Sequence, residues 1–230
     1  DIKTYETSAD AIEIKDESFT GSSIIWRDLE IELRVPGRFN IENALLAAST
    51  CLLLGIDENQ IVKGLEAAEP VPGRFEVLDI YEGAPTVIVD YSHTPAGIEN
   101  VLQAVRRISS EVDLTIVFGC GGNRDDSKRP KMARAAEMHA DRVIVTSDNP
   151  RYEDPRKIID QTMSGFIDPN PVIVEEDREA AIQLAIQSSD AGGVIVIAGK
   201  GAETTQEICG KVKPFDDRVI AEAVLQGVKE

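Results

Sequence analysis

Several features that would assign this chain to a well-marked class are missing from its sequence. The three cysteines, Cys51, Cys120 and Cys209, lie far apart without a CxxC or CxxH pair. They support neither a zinc site nor a disulfide framework, and they favour a reducing cytoplasm. Lys and Arg number 24 against 41 Asp and Glu, so the clustered positive charge that nucleic acid requires is lacking. No apolar run approaches the ~20 residues that span a bilayer, and no signal-peptide pattern opens the chain. We therefore expect a cytoplasmic protein with neither nucleic-acid nor membrane partners.

A phosphate-binding loop of the GxxxxGK[ST] type is also missing. The stretch "GVIVIAGKG" resembles one, but five residues separate Gly193 from Gly199, and Gly201 follows Lys200 where Ser or Thr is required. The chain also begins without Met, in sequence typical of the middle of a domain. We interpret the chain as a portion of a longer protein.

The segments that are present predict an α/β protein of two parts. In the first part, "SFTGSSIIW" and "LEIELRV" alternate as strands do, and "NIENALLAASTCLLLGI" has helical spacing. The prolines of "EPVPGRFE" mark a boundary, which gives domains at 1–71 and 72–230. From residue 76 on, apolar strands alternate with helix-length segments. This pattern predicts a Rossmann-like, mostly parallel sheet with helices on both faces.

Polar turns follow most of the predicted strands, and these turns are the strongest sign of a binding site. They read "VDYSHTP", "FGCGGNRDD", "TSDNPRYEDP" and "IAGKGAETT". In a parallel α/β sheet they all lie at the carboxyl edge, where ligands bind. A guanidinium can fork onto carboxylate or phosphate, so we expect Arg124, Arg129 and Arg151 to be anchors there.

Some of these turns also have purely structural interpretations. The glycines of "FGCGG" permit a tight turn and lack the full spacing of a dinucleotide fingerprint. Cys120 is better explained as a small buried thiol than as a nucleophile, because no partnered base is readable. His93 either contacts a ligand or belongs to a helix entry that Asp90 or Thr94 caps.

Taken together, the motifs resemble those of the Mur ligases, in their order and spacing along essentially the whole chain. They are "GRFNIENALLAA", "VPGRFEV", "VDYSHTPAGIENVL", "FGCGGNRDDSKRPKM", "TSDNPRYEDP" and "IAGKGAETTQ". The turn "DNPRxEDP" with an upstream "GGxRD" is similar to the branch that adds a diamino acid. The resemblance implies the end of a central ATPase domain at 1–71, followed by the C-terminal, amino-acid-binding domain.

The resemblance also implies a reaction and its partners. ATP with Mg²⁺ phosphorylates the carboxylate of a UDP-N-acetylmuramoyl dipeptide, and the amine of meso-diaminopimelate or lysine attacks the acyl phosphate. The family's phosphate loop, its magnesium ligands and its UDP-binding domain have no counterpart in these residues. We therefore assign no catalytic residue and no metal ligand, and we expect a monomer that is inactive alone.

The resemblance implies two groups of binding residues. Those expected to bind the nucleotide are Asn43, Arg74, Asp90 and His93. Those expected to bind the amino acid are Arg124, Asp148, Asn149, Arg151, Gly199 and Glu203. Ala202 stands where the family's motif has a histidine.

The chemistry of meso-diaminopimelate agrees with this assignment. The two arginines of the set suit its distal carboxylate, whereas Asn149 and Glu203 suit its distal ammonium. Lysine lacks the second carboxylate and would leave the arginines unpaired, which costs affinity. A lysine-adding ligase, a non-catalytic module that binds amino acid or nucleotide, and a folylpolyglutamate synthetase are the alternatives, and the "DNPR" turn argues against the last.

Overall fold

The structure is a computed structural model that describes residues 8–9, 12–78 and 82–227. The chain forms two compact units, Asp1–Val71 and Pro72–Glu230. Each unit has its own apolar core, and each is described by itself below.

The first unit joins an antiparallel sheet to two helices. Its elements are β1 (Glu13–Ser18), β2 (Gly21–Trp26), β3 (Leu29–Leu33), α1 (Arg38–Leu53) and α2 (Glu58–Glu66), with sheet order β1-β2-β3. The predicted strands and the helix of "NIENALLAASTCLLLGI" correspond to β2, β3 and α1. Strand β1 was not predicted, because its sequence "EIKDES" is mostly charged and has no apolar face.

The second unit is built on a six-stranded sheet. Its strands are β4 (Glu76–Val77), β5 (Thr86–Asp90), β6 (Leu114–Cys120), β7 (Arg142–Ser147), β8 (Ile173–Val174) and β9 (Val194–Ala198). The spatial order is β4-β5-β9-β6-β7-β8, and every neighbouring pair is parallel except β4 with β5. Strand β9 is entirely apolar, with four β-branched residues followed by Ala198, as expected for a strand that is covered on both faces.

Helices cover both faces of this sheet, which confirms the predicted fold class. They are α3 (Pro95–Ile108), α4 (Arg129–His139), α5 (Pro155–Met163), α6 (Arg178–Gln187) and α7 (Asp217–Gly227). Helices α6 and α7 pack on one set of alternating strand residues, and the intervening strand residues are buried too. No helix in the described ranges is long and apolar enough to cross a membrane.

The strand order brings four polar turns together. Strand β9 lies between β5 and β6, and β7 follows β6. Because these strands are parallel, the turns that follow them are neighbours along one carboxyl edge. A hairpin that the sequence analysis missed, β10 (Thr205–Ile208) with β11 (Lys211–Pro214), comes directly after the turn of β9.

Candidate functional site

A cleft of about 390 Å³ opens at this carboxyl edge. Residues from all four turns line it, and they include both positive and negative side chains. All six residues predicted to bind the amino acid are in its wall, together with His93. The lining residues are Tyr91, His93, Gly119, Cys120, Gly121, Arg124, Asp125, Lys128, Asp148, Asn149, Arg151, Gly199 and Glu203.

The positive part of the cleft consists of two guanidinium groups and of Lys128, whose ammonium donates to His93 O at 2.7 Å. Arg124 is exposed, and no hydrogen bond or ion pair engages its guanidinium within the described part of the chain. Arg151 donates from Nη1 to the Gly122 carbonyl at 2.8 Å, and its Nε lies 3.5 Å from Glu207 Oε2. Both side chains face solvent-accessible space, where they can meet an anionic group.

The backbone at Arg151 is held in a conformation that a bulky residue adopts rarely. Its φ is 52°, in the left-handed region, directly after Pro150. The hairpin stabilises this turn, because Arg151 N donates to Glu207 O at 3.0 Å and Gln206 Nε2 donates to Asp148 O at 2.9 Å. Strained backbone that the surroundings hold in place is concentrated at binding and catalytic sites.

The negative part of the cleft is organised around a buried lysine. Lys200 is fully buried, and its ammonium donates to Asn149 Oδ1 at 3.3 Å, Glu203 Oε2 at 3.1 Å and Thr205 O at 2.7 Å. Asn149 Nδ2 donates to Glu203 Oε2 at 2.8 Å, and Asn149 Oδ1 also accepts from Glu207 N at 2.9 Å. The amide oxygen of Asn149 thus has both lone pairs occupied. Asn149 therefore orients the Glu203 carboxylate through its amide nitrogen, and its amide oxygen has no lone pair left for a further donor.

Glycines allow the turns to approach each other closely. Gly199 has φ 119°, and a Cβ there would lie 2.8 Å from Asp148 Oδ2. At Gly122 a Cβ would lie 1.9 Å from Pro150 O, and Gly122 N donates to Asn149 O at 2.9 Å. Side chains at these positions would push the turns of β6, β7 and β9 apart.

An ion pair beneath the cleft was not predicted from the sequence. Arg178 and Asp217 are fully buried and meet through two bonds, Nε–Oδ1 at 2.8 Å and Nη2–Oδ2 at 2.7 Å. Arg178 also donates to Ala198 O at 3.0 Å, at the end of β9. Burial alone would lower the pKa of Arg178, but the charge and hydrogen bonds of Asp217 outweigh it and raise the pKa above its usual value. The only sequence signal was the position of both residues in the first turn of a helix.

Of the predicted nucleotide-binding residues, only His93 lines the cleft. Its Nδ1 lies 2.8 Å from Tyr91 O, and its ring meets that of Tyr91 edge-on at 4.6 Å. Thr94 caps α3 through Gly97 N at 3.1 Å. Arg74 is exposed and its guanidinium lies 4.4 Å from the centre of the Tyr91 ring.

Asp90 is engaged within the protein. It is 5% exposed, and its carboxylate accepts from Phe75 N at 2.7 Å, Ser92 N at 2.8 Å and the Ser92 hydroxyl. Asp90 thus holds the turn after β5, and it does not line the cleft. Asn43 lies in the first unit, exposed on α1, with Nδ2 3.4 Å from Asn40 Oδ1.

The expectation that Arg129 anchors a ligand is wrong. Its side chain is 1% exposed, and it meets Glu153 through two bonds of 3.0 and 3.1 Å. Further bonds reach Gly121 O at 3.2 Å and Gln161 Oε1. Arg129 is buried and stabilises the turn that carries Arg124 through its bond to Gly121 O. The sequence pattern "NRDDSKRP" does not show which of its arginines is buried.

Cys120 is a buried thiol, as the sequence analysis preferred. Burial raises its pKa, although a hydrogen bond from Thr162 opposes that effect and the charge of Asp148 adds to it. A thiol with a raised pKa is a poor nucleophile at neutral pH. Across the described ranges there is no group of three or more His, Cys, Asp or Glu side chains arranged to hold a metal ion.

Comparison with known proteins identifies the class to which this fold and cleft belong. The sequence profile described as "Mur ligase, glutamate ligase domain" matches residues 73–201. The chain belongs to the Mur ligase family.

The curated relatives that match this chain carry the name of one particular ligase. A UDP-N-acetylmuramoyl-L-alanyl-D-glutamate–2,6-diaminopimelate ligase of Geobacillus kaustophilus is 46% identical over 198 residues, 85% of this chain and 40% of that ligase. The enzyme of the same name from Aquifex aeolicus is 42% identical over 87% of this chain and 41% of its own length. The chain therefore spans about 40% of the length of the curated relatives it matches.

Solved structures with a similar fold include a ligase of that name and a different synthase. A diaminopimelate ligase of the same name aligns with TM-score 0.69 and 36% identity, over 95% of this chain and 46% of that one. A folylpolyglutamate synthase from Thermotoga maritima aligns with TM-score 0.60 and 28% identity, over 82% of this chain and 43% of that one. The architecture is thus shared with ligases that act on other substrates, and the cleft residues have to distinguish between them.

Proposed function

We propose that this chain carries the amino-acid-binding part of a MurE-type ligase, a UDP-N-acetylmuramoyl-tripeptide synthetase that adds meso-diaminopimelate. The observation that carries the proposal is the cleft itself, which Arg124 and Arg151 line together with Glu203. The relatives named as 2,6-diaminopimelate ligases support this substrate.

The charges of the cleft match a doubly zwitterionic amino acid. One carboxylate of meso-diaminopimelate is bound by the guanidinium groups of Arg124 and Arg151, and an ammonium is bound by the carboxylate of Glu203. Lysine supplies the ammonium but no second carboxylate. A guanidinium that loses water without gaining an anion costs free energy, so the site prefers the longer dicarboxylic ligand.

In the proposed reaction, the residues of this chain orient the incoming amino acid. ATP with Mg²⁺ supplies activation, by converting the carboxylate of the UDP-linked dipeptide into an acyl phosphate. The cleft holds the incoming amino acid by groups remote from the reacting amine. This positioning raises the effective concentration of the amine at the acyl carbon.

We assign nucleotide contact to Asn43, Arg74 and His93, as the resemblance to the family implies. Arg74 and His93 expose their side chains around Tyr91 after β5. Asp90 also stays in the proposed set: Phe75 N and Ser92 use three of the roughly four acceptor positions of its carboxylate, so it shapes this turn and keeps one position for a ligand hydroxyl. We further propose a cytoplasmic monomer, in keeping with the free Cys51, Cys120 and Cys209.

Isothermal titration calorimetry on the 230-residue chain tests the proposal. We expect meso-diaminopimelate to bind at least about tenfold more tightly than L-lysine, corresponding to about 1.4 kcal/mol. We expect no phosphate release when ATP is added, because the chain has no GxxxxGK[ST] loop.

Each other result points to a different function. Tighter binding of L-lysine would identify a lysine-adding ligase and overturn the clamp formed by the two arginines. Binding of ATP with no amino acid would indicate a nucleotide module. Tighter binding of L-glutamate than of either diamino acid would favour the folylpolyglutamate synthase likeness.

A further inference from the structure

Lys200 lies behind the cleft and is absent from its wall, yet it contacts two of the side chains predicted to bind the amino acid. Gly199 and Gly201, with φ of 119° and 52°, turn the backbone sharply on either side of it. This turn directs the Lys200 side chain inward, where it is fully buried. A lysine is rarely buried so completely unless its charge is matched.

The hydrogen bonds of Lys200 are complete. An ammonium has three donors, and the acceptors are Asn149 Oδ1, Glu203 Oε2 and Thr205 O, at 3.3, 3.1 and 2.7 Å. Lys200 therefore has no donor left for a ligand. Whatever effect it has on the ligand passes through the residues that it holds.

Glu203 is the residue through which that effect passes. Its side chain is 39% exposed and reaches the cleft, while its Oε2 accepts from both Lys200 and Asn149. Its Oε1 has no hydrogen-bond partner in the described ranges. A carboxylate accepts about four hydrogen bonds, so Glu203 retains acceptor capacity directed at the cleft.

We propose that Lys200 is a positioning residue: its buried ammonium fixes Glu203 and Asn149, so that the cleft selects amino acids with a second ammonium group. This inference rests on the proposed function. Without Lys200, the Glu203 carboxylate would turn towards solvent and its preference for an ammonium would be lost. The arginines, which contact the carboxylate end, would be unaffected.

The test compares two ligands that differ in one amino group. 2-Aminopimelate has both carboxylates of meso-diaminopimelate but only one ammonium. In calorimetry on the whole chain, we expect the native protein to bind meso-diaminopimelate at least about tenfold more tightly than 2-aminopimelate. Lys200→Met should remove this preference and leave the affinity for 2-aminopimelate within about twofold. Glu203→Gln should do the same, and the double variant should add nothing further, because both changes act through one contact.

Lys211→Met is the matched control, since Lys211 is an exposed lysine on β11, and it should change neither affinity. If Lys200→Met weakens the binding of both ligands equally, Lys200 has only a structural role and the inference is overturned. The inference is also overturned if Lys200→Met still prefers meso-diaminopimelate to 2-aminopimelate. A native protein that does not bind meso-diaminopimelate would instead overturn the proposed function.

A second measurement applies if Lys200→Met does not fold. The protons of the Lys200 ammonium are expected to exchange slowly with water, because the group is buried. The ammonium signal of the native protein can then be observed by nitrogen-15 NMR. We expect its signal to shift on addition of meso-diaminopimelate and to shift less with 2-aminopimelate. Equal shifts with the two ligands would overturn the inference.

Discussion

Arg124 and Arg151 approach the same point in the wall of the cleft. A Cβ on Gly121 would lie 3.1 Å from Arg151 Nη1 and 3.9 Å from Arg124 Cγ. The first arginine follows β6 and the second follows β7, so the parallel pairing of these strands is what brings them together. Asp148 Oδ1 lies 3.8 Å from the same Cβ position, so this part of the wall carries two arginine side chains beside a carboxylate of the protein.

The first prediction concerns the selectivity for a second carboxylate. Arg151→Lys replaces a planar fork with a point charge. We expect the affinity for meso-diaminopimelate to fall about 10- to 100-fold and that for L-lysine to change little, since hydrogen bonds between charged groups contribute about 1.5–3 kcal/mol. Calorimetry measures both affinities. Arg156→Lys, the same change at an exposed position on α5, is the control, and equal losses for both ligands would contradict the clamp.

The second prediction concerns the contact between the turns of β6 and β7. Gly122→Ala places a methyl group on the Pro150 carbonyl, at 1.9 Å before relaxation. The backbone must shift, and we expect a destabilisation of about 1–3 kcal/mol together with weaker amino-acid binding. Gly192→Ala is a matched control, because a Cβ there meets nothing within 4 Å. Urea unfolding and calorimetry distinguish the two variants, and equal stabilities would show that the turn is looser than described.

The third prediction concerns the ion pair beneath the cleft. Asp217→Asn leaves the fully buried Arg178 without its counter-charge. Breaking a buried pair on one side costs about 3–5 kcal/mol, whereas replacing both partners by apolar residues costs much less. The free energy of unfolding should therefore fall more in Asp217→Asn than in Arg178→Met with Asp217→Leu. If the double variant is less stable than Asp217→Asn, the attraction between Arg178 and Asp217 contributes more stability than the burial of their charges costs.

The fourth prediction concerns pH. The hydrogen bond and charge of Arg129, with a backbone bond from Asn123, lower the pKa of Glu153 below its ordinary 4.5. Because the pKa is lower in the folded chain, Glu153 stabilises the fold above its unfolded pKa, and this stability is lost as pH falls through the folded pKa. Glu153→Gln should thus be less stable than the native chain at pH 7, and the difference should shrink below pH ~4. Unfolding measured from pH 3 to 7 tests this, and a constant difference would mean that the charge of Glu153 does not act.

Much of the second unit follows from the sequence because its strands are continuous apolar runs between polar turns. Val194–Ala198 and Leu114–Cys120 have this character. The hairpin of β10 and β11 does not, since "TQEI" and "KVKP" contain few apolar residues, and every residue of β11 is exposed. It is stabilised by partners distant in the chain, such as Arg151, and a local pattern cannot show these.

The same contrast applies to the site. The residues of the cleft could be placed because each follows a strand, and the sheet topology then brings them together. What the sequence could not reveal is the state of each side chain. Arg124 lies in the turn after β6 and Arg129 is the first residue of α4, yet the first is exposed and the second is buried against Glu153. The burial of Lys200 and Arg178 was not predicted, because burial of a charge depends on partners that only the folded chain supplies.

The bonds between the hairpin and the turn at 148–151 have a consequence for engineering. Gln206 and Glu207 hold Asp148, Asn149 and Arg151 through main-chain and side-chain bonds. If the four-residue turn of another ligase were grafted onto this scaffold alone, the grafted turn would lack the hairpin residues that hold its backbone in place. A successful exchange of substrate preference therefore has to transplant both stretches, 148–151 and 199–208, as one co-adapted cassette.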